Sequence, residues 1–258
     1  MKRYGLIGHP LGHSYSKAYF TEKFEQEKID ACYDLFDLSD IYQLPDLLRQ
    51  HSDLHGFNVT IPYKEVIIPF LDEIHPEAKA VGAVNTVKVT ADGKLIGFNT
   101  DIVGIETTLY VKEIETAGLS LRGRTTRQPE DSLNALVLGT GGASKAVQYV
   151  LKNNKTPFHL VSRSPKKGHF TYETLTPEII KDHLLIINAT PIGMAPNIDE
   201  TPLIPSEAIT PHHFLFDLIY NPEETLFLRN GRNHGATIIN GMKMLHAQAE
   251  ASWKIWNS

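Results

Sequence analysis

Three polar clusters in the first hundred residues contain side chains that can bind and protonate a small molecule. They are Asn58-Val59-Thr60 followed by Lys64, Asn85-Thr86, and Asn99-Thr100-Asp101. A fold that brings these clusters to strand ends would place an ammonium group and a carboxylate in one cleft, as a proton-transfer pair. Taken alone, Lys64 is as typical of a surface lysine, and Asp101 of a helix N-cap. Together the clusters predict Lys64 and Asp101 as catalytic residues.

Two serines, Ser14 and Ser16, stand where the first predicted helix begins. Hydroxyl groups, backbone N–H groups and the helix dipole together bind a carboxylate well, although either serine can instead cap the helix. The pair therefore favours an anionic substrate that carries several hydroxyl groups. The side chains predicted to contact those hydroxyls are Asn58, Thr60, Asn85 and Gln248.

A glycine-rich turn, Gly139-Thr140-Gly141-Gly142-Ala143-Ser144, follows a predicted strand and precedes a predicted helix over 146–151. This context is typical of a turn that binds the pyrophosphate of a dinucleotide at a helix N-terminus. Gly139 allows the tight turn, Gly141 lets the phosphates approach the backbone, and the small Ala143 and Ser144 let helix and strand pack closely. The alternative is a glycine turn that binds nothing.

The segment after the next predicted strand favours NADP over NAD. Ser162-Arg163-Ser164-Pro165-Lys166-Lys167 contains no Asp or Glu that could bind a ribose 2′-hydroxyl. Arg163 can bind a 2′-phosphate through its planar guanidinium, with Ser162 and Lys167 as further donors. A solvated basic loop is the alternative. A methyltransferase that binds S-adenosylmethionine at the glycine turn would need an acidic residue here.

Two α/β domains with a cleft between them are predicted to position these residues. Apolar runs and helical spacing predict an N-terminal substrate domain of residues 1–103 plus 241–258, with a mostly parallel sheet and a hairpin at Asp92-Gly93. Residues 104–240 are predicted to form a Rossmann-like NADP-binding domain. Its predicted strands are 135–138, 158–161, 184–187, 214–218 and 237–239, and a final helix is predicted from 242 to 256.

Composition narrows the possible partners to small molecules. The 258 residues have a net charge of −5, show no basic stripe typical of nucleic-acid binding, and contain no apolar run long enough to cross a membrane. The single Cys32 excludes an intrachain disulfide, and no metal site is predicted. The first residues do not form a secretory signal, which predicts a cytoplasmic protein. Both a monomer and a homodimer are compatible with the sequence.

Eight motifs, in order, resemble those of the shikimate dehydrogenase family across nearly the whole chain. They are His13-Ser14-x-Ser16-Lys17, Asn58-Val59-Thr60-x-Pro62-x-Lys64, Gly82-Ala83-x-Asn85-Thr86, Gly97-x-Asn99-Thr100-Asp101, Gly139-x-Gly141-Gly142-Ala143, Asn188-Ala189-Thr190-Pro191-x-Gly193-Met194, Asp217-x-x-Tyr220 and Gly241-x-x-Met244-Leu245-x-Ala247-Gln248. The resemblance implies reduction of 3-dehydroshikimate to shikimate by NADPH in aromatic amino acid biosynthesis, with Lys64 and Asp101 as the catalytic pair.

The same resemblance implies a role for each remaining site residue. Ser14 and Ser16 would bind the substrate carboxylate, and Asn58, Thr60, Asn85, Tyr220 and Gln248 the ring. The cofactor would contact Gly139, Gly141, Gly142, Ala143, Ser162, Arg163, Lys167, Thr190, Met194 and Gly241. Two alternatives stay open: a sibling enzyme that acts on quinate or uses NAD, and a non-catalytic metabolite sensor. Retention of Lys64, Asp101 and the cofactor turn disfavours the sensor, because a sensor needs no proton donor.

Overall fold

The computed structural model describes residues 1–12, 14–109, 134–164 and 169–258. These residues form two compact units, each with its own sheet. The first unit contains Met1–Thr100 and Gln248–Ser258, and the second contains Asp101–Ala247. Among the described residues, no helix is long and apolar enough to cross a membrane. The same residues contain no group of three or more His, Cys, Asp or Glu side chains that could hold a metal ion.

The first unit is built on a six-stranded mixed sheet with the order β2-β1-β3-β5-β6-β4. Strands β1, β2 and β3 pair in parallel, and the hairpin of β5 and β6 continues the sheet antiparallel to β3. Its elements are β1 (Lys2–Gly8), α1 (Tyr15–Gln26), β2 (Ala31–Asp37), α2 (Leu44–Gln50), β3 (Leu54–Val59), β4 (Glu73–Ile74), α3 (Pro76–Val81), β5 (Thr86–Val89) and β6 (Leu95–Phe98).

Aromatic side chains pack the C-terminal end of the last helix, Met242–Trp256, against this sheet. Tyr4 stacks on Trp256 with ring centroids 4.9 Å apart, and Phe20 of α1 stacks on Tyr33 of β2 at 4.7 Å. The indole N–H of Trp256 donates to the carbonyl of Val87 at 3.0 Å. Large rings buried in this way dominate the apolar contribution to stability. The packing fixes the C-terminal part of the helix relative to β1, β2 and β5.

The second unit has a five-stranded, fully parallel sheet with the order β11-β10-β9-β7-β8. The order reverses at β7, which pairs with β8 on one side and β9 on the other, and ligands of such sheets bind at the carboxyl ends beside this point. The elements are α4 (Asp101–Leu109), β7 (Ala135–Leu138), α5 (Gly142–Asn153), β8 (Phe158–Val161), α6 (Pro177–Lys181), β9 (Leu185–Asn188), β10 (Phe214–Asp217), α7 (Leu226–Asn233), β11 (Thr237–Ile239) and α8 (Met242–Trp256).

Two helices differ from the prediction for local reasons. The spacing of Tyr19, Phe20 and Phe24 predicts a helix over 18–28. Helix α1 begins instead at Tyr15, because the Ser14 hydroxyl accepts from the backbone N–H of Lys17 and caps it. The amphipathic sequence over 41–49 predicts one helix, whereas the structure has a 3₁₀ turn followed by α2, whose first turn contains Pro45. Apolar spacing predicts a helix over 102–114, and the charged sequence over 122–132 predicts a loop. Helix α4 is described to Leu109, and the remainder of these two segments lies outside the described residues.

Candidate active site

A buried network of amides and hydroxyls occupies the carboxyl end of β3 in the first unit. Asn58 accepts from the Tyr33 hydroxyl at 2.8 Å, and its Nδ2 donates to Thr86 Oγ1 at 3.1 Å and to Ser252 Oγ at 2.9 Å. Burial raises the pKa of Tyr33, so this hydroxyl stays protonated and able to donate. Asn58 therefore binds protein partners with both ends of its amide, and it holds β2, β3, β5 and α8 together.

Asn85 is fixed by three hydrogen bonds to its side-chain oxygen. Its Oδ1 accepts from the backbone N–H of Thr100 at 2.7 Å and from the hydroxyls of Thr86 at 3.1 Å and Thr100 at 3.2 Å. The hydroxyls of Thr86, Thr100 and Ser252 lie 2.9 to 3.2 Å from one another, and Thr100 Oγ1 also lies 3.4 Å from Gln248 Oε1. The predicted residues Asn58, Asn85 and Gln248 are thus brought together.

The hydroxyl of Thr86 links this network, so its removal tests how much the network stabilises the first unit. Thr86→Val keeps the side-chain shape but leaves buried partners of Thr86 without their hydrogen bonds. We expect the free energy of unfolding to fall by roughly 1–3 kcal/mol, the usual cost of an unsatisfied buried polar group. Urea unfolding measures the change, and Thr86→Ser, which keeps the hydroxyl, serves as the control. Equal stability of Thr86→Val and wild type would contradict this role.

The backbone links Lys64 to the segment that contains Asn85. The carbonyl of Lys64 accepts from the N–H of Val84 at 2.7 Å, and Thr60 N–H donates to Ile7 at 2.9 Å, which anchors the start of the same loop. Thr100, bound to Asn85, directly precedes Asp101, which is buried at the first position of α4. A helix N-terminus stabilises a carboxylate. One hydrogen-bonded frame therefore holds the backbone at Lys64 and the residue before Asp101.

The two serines occupy different positions at the start of α1. Ser14 is the N-cap and accepts from Lys17 N–H at 3.4 Å, so the capping role considered for it is present. Ser16 lies within the first turn and is buried, whereas Ser14 and Thr60 are half-buried. A capping hydroxyl can still donate its proton to a ligand. The cap therefore does not remove Ser14 from the predicted substrate site.

In the second unit, the glycine turn lies at the carboxyl end of β7, where the sheet order reverses. Gly139 has φ of +101°, and a Cβ atom there would lie 2.9 Å from Thr190 Cγ2, so only glycine fits. Gly141 is the N-cap of α5 and has open space where a side chain would stand. Ser144 is buried and donates to the Gly139 carbonyl at 2.7 Å. The N-terminus of α5, whose first N–H groups have no partner within the helix, thus begins directly after this turn.

Arg163 follows β8 and is exposed. Within the part of the chain that the structure describes, no carboxylate lies within ion-pair distance of its guanidinium. Ser162 is buried and accepts from Ser164 N–H at 3.2 Å, which shapes the turn. Lys167 lies outside the described residues. The described residues of this turn therefore present an arginine available to an anion.

The remaining predicted residues follow β9, β10 and β11. Thr190 and the partly exposed Met194 lie after β9, and Tyr220 lies after β10. Gly241 lies after β11, where a Cβ atom would be 2.1 Å from the Leu218 carbonyl oxygen, and its N–H donates to Ile219 at 2.9 Å. A side chain at Gly241 would displace the segment that contains Tyr220. These segments meet at one end of the sheet in the second unit.

Sequence reasoning missed two hydroxyls that organise these sites. Ser252 completes the network in the first unit, and Thr225 donates to the buried Asp217 at 2.6 Å in the second. Ser252 lies one helical turn after Gln248, so helical spacing placed both on one face of α8. Thr225 is the N-cap of α7. Asn188 and Asp217 stood in recognised motifs but received no role.

The chain is similar to known proteins of one family. A family model described as the shikimate dehydrogenase substrate binding domain matches residues 6–87. Shikimate dehydrogenase (NADP(+)) of Methanococcus maripaludis strain C7 is 38% identical over 99% of this chain and 91% of that protein.

Solved structures of similar proteins have the same fold. A chorismate mutase/shikimate 5-dehydrogenase fusion protein from Clostridium acetobutylicum has a TM-score of 0.81 and 35% identity, covering 99% of this chain and 91% of its own. Shikimate 5-dehydrogenase from Thermus thermophilus, in complex with NADP(H) and shikimate, has a TM-score of 0.81 and 30% identity, covering 99% and 93%. The predicted α/β class is confirmed, with a mixed sheet where a mostly parallel one was predicted and a fully parallel, Rossmann-like second sheet. The chain belongs to the shikimate dehydrogenase family.

Proposed function

We propose that this chain catalyses the reversible, NADPH-dependent reduction of 3-dehydroshikimate to shikimate, a step in the biosynthesis of aromatic amino acids through chorismate. As a member of its family, the chain is an oxidoreductase that uses NADP(H). The observation that carries the proposal is the hydrogen-bonded frame that joins Lys64 through Val84 and Asn85 to Thr100, the residue before Asp101. We assign the reaction to the cytoplasm and to a monomer or homodimer.

Lys64 and Asp101 are proposed to move the proton. NADPH, when bound, supplies the hydride to the ketone carbon of the substrate. The ammonium group of Lys64 donates a proton to the ketone oxygen, and in the reverse direction the amine accepts the proton of the hydroxyl. Asp101 orients the ammonium group, because its carboxylate is buried at the start of α4 and cannot swing freely into solvent. Aligned donors of this kind lower the barrier of a step that develops charge on oxygen.

The substrate is proposed to bind beside the amide and hydroxyl network of the first unit. Ser14 and Ser16, at the N-terminus of α1, bind its carboxylate, since this terminus adds backbone donors and a favourable dipole. Thr60, Asn85, Gln248 and Tyr220 contact the ring hydroxyls. Asn58 is assigned to the same pocket. Both ends of its amide are hydrogen-bonded to protein groups, so it orients the neighbouring residues.

The cofactor fits the residues present in the second unit. The open space at Gly141 and the N-terminus of α5 suit a pyrophosphate, with Gly139, Gly142 and Ala143 completing the turn. Arg163 suits a 2′-phosphate, with Ser162 and Lys167 as further donors. Thr190, Met194 and Gly241 are assigned to the nicotinamide end.

The direct test is an absorbance assay at the wavelength of reduced nicotinamide. Purified protein is mixed with shikimate and NADP⁺, then separately with NAD⁺ in place of NADP⁺ and with quinate in place of shikimate. We expect the fastest turnover with shikimate and NADP⁺. Faster turnover with quinate or with NAD⁺ would favour the sibling enzyme, and binding of shikimate without turnover would favour the metabolite sensor.

Replacement of Arg163 tests the assignment of the 2′-phosphate. Hydrogen bonds to a charged group contribute roughly 1.5–3 kcal/mol, so Arg163→Ala should raise the KM for NADPH by about 10- to 100-fold. The KM for NADH should change little, because NADH has no 2′-phosphate. Arg232→Ala, which removes an exposed arginine paired with Glu224 in the same unit, is the matched control. Equal losses with both cofactors would exclude Arg163 from phosphate recognition.

A further inference from the structure

We propose that Asp217 is a positioning residue, whose buried carboxylate holds the segments after β9 and β10 in the geometry that the nicotinamide and the substrate ring require. This inference rests on the proposed function, because Thr190, Met194, Tyr220 and Gly241 are the residues so positioned. Asp217 itself lies in the last position of β10 and is completely buried.

The Asp217 carboxylate receives three hydrogen bonds, each from a different segment. Its Oδ1 accepts from Asn188 Nδ2 at 3.1 Å and from the backbone N–H of Ile219 at 3.0 Å. Its Oδ2 accepts from Thr225 Oγ1 at 2.6 Å. A carboxylate is an acceptor only, so it can bind three donors at once without a repulsive contact. The end of β9, the turn after β10 and the start of α7 are therefore tied to one side chain.

Asn188 continues these hydrogen bonds into the turn that contains Thr190 and Met194. Because Asn188 Nδ2 faces Asp217, its Oδ1 faces the turn and accepts from Thr190 N–H at 3.1 Å and from Thr190 Oγ1 at 2.6 Å. Thr190 Oγ1 in turn accepts from Ile192 N–H at 3.2 Å. The donor and acceptor ends of Asn188 are thus assigned by Asp217, and the orientation of the Thr190 hydroxyl follows from them.

Ile219 connects Asp217 by hydrogen bonds to the segment after β11. Its N–H binds Asp217, and its carbonyl accepts from the N–H of Gly241 at 2.9 Å. The carbonyl of Asn221, just beyond Tyr220, accepts from Ala195 N–H at 3.2 Å, which joins the two segments a second time. Asp217 therefore acts through residues beside the proposed nicotinamide and substrate contacts, rather than by touching either ligand.

Asp217→Asn tests the proposal with little change in size. An amide in this place has only one oxygen acceptor, so its NH2 group faces either the donors of Asn188 and Ile219 or the hydroxyl of Thr225. We expect the KM for NADP⁺ and for shikimate to rise about tenfold or more, with a fall in kcat, because the ligand contacts are no longer aligned. The ratio of the KM values for NADPH and NADH should stay as in wild type, because Arg163 follows a different strand. Asp182→Asn, an exposed aspartate of the same unit, is the matched control.

A second pair of variants separates positioning from general destabilisation. Thr225→Val removes the donor to Asp217, whereas Thr225→Ser keeps it, so serine should restore the kinetic constants that valine loses. Amide hydrogen exchange gives a readout that needs no activity. In Asp217→Asn and Thr225→Val, exchange at the N–H groups of Thr190, Ile192 and Ile219 should accelerate relative to wild type, and by more than exchange in β7 and β8 does.

The possible outcomes are distinct. Kinetic constants and exchange rates within about twofold of wild type in both variants would overturn the proposal, as would equal acceleration of exchange across the whole second unit. If wild-type protein does not oxidise shikimate with NADP⁺, the proposed function fails. The exchange comparison would then still decide whether Asp217 holds the two segments.

Discussion

Lys64→Ala and Asp101→Asn are each expected to lower kcat by about 10²- to 10⁴-fold, the usual contribution of a positioned proton donor or acceptor. Lys64→Ala removes the ammonium group that protonates the ketone oxygen. Asp101→Asn keeps the size of a buried side chain at the start of α4 but removes its charge. Because the cofactor is assigned to residues after β7, β8, β9 and β11, the affinity for NADP⁺ should change little in either variant. Steady-state kinetics and a fluorescence titration with NADPH measure the two quantities.

Two surface variants of the first unit control for nonspecific effects of the lost charge. Lys79→Ala on α3 and Asp46→Asn on α2 remove a lysine ammonium and an aspartate carboxylate at exposed positions. Both should keep the wild-type kcat. If Lys64→Ala or Asp101→Asn also kept it, the residue concerned would have no part in proton transfer. A loss of NADP⁺ affinity equal to the loss of kcat would point to misfolding of the cofactor site.

The elements that sequence predicted best are those whose burial is continuous. Strand β7 lies at the predicted residues because all four of its side chains are buried, so it appears as an uninterrupted apolar run. Strand β4, with two residues, is too short to show any alternation and was not predicted. The start of α1 was displaced because the capping hydrogen bond of Ser14, rather than apolar spacing, sets it.

Residue types predicted the candidate site more completely than they predicted how its parts are connected. Glycine at 139 and 141 and arginine at 163 indicate phosphate chemistry by type and order alone. The sharing of the Asn85 oxygen among three donors depends on the register of β3, β5 and β6, which a single sequence does not specify. The residue type of Asn85 therefore indicates ligand binding only. Its side chain also joins the segment that binds the Lys64 carbonyl to Thr100, the residue before Asp101.

Asp217 is another residue whose connections cannot be predicted from its type, and its burial can be detected by titration. Its pKa is raised to about 6, because burial disfavours the carboxylate more than the hydrogen bonds from Thr225, Ile219 and Asn188 favour it. These three groups are neutral donors, so the shift comes from loss of hydration rather than from a neighbouring charge. The folded protein consequently binds a proton at Asp217 at pH values where the unfolded chain has released it.

The stability difference between wild type and Asp217→Asn should therefore depend on pH. Because the pKa is higher in the folded state, the contribution of Asp217 is fully present below the unfolded value of 3.8 and is lost as the pH rises through about 6. The whole effect is about 3 kcal/mol, of which roughly 2 kcal/mol falls between pH 4.5 and 7.5. Relative to Asp217→Asn, wild type should lose that free energy of unfolding over this range, as measured by urea unfolding.

A core variant without a titrating group calibrates this measurement. Ile180→Val removes one methylene from a fully buried side chain of the second unit and should cost about 0.5–1.5 kcal/mol at both pH values. Its difference from wild type should thus be constant, while that of Asp217→Asn narrows as the pH rises. A constant difference for Asp217→Asn would mean that the carboxyl titrates alike in the folded and unfolded chains. In that case the three hydrogen bonds fully offset the desolvation of the carboxylate, which is then ionised at neutral pH in both the folded and the unfolded chain.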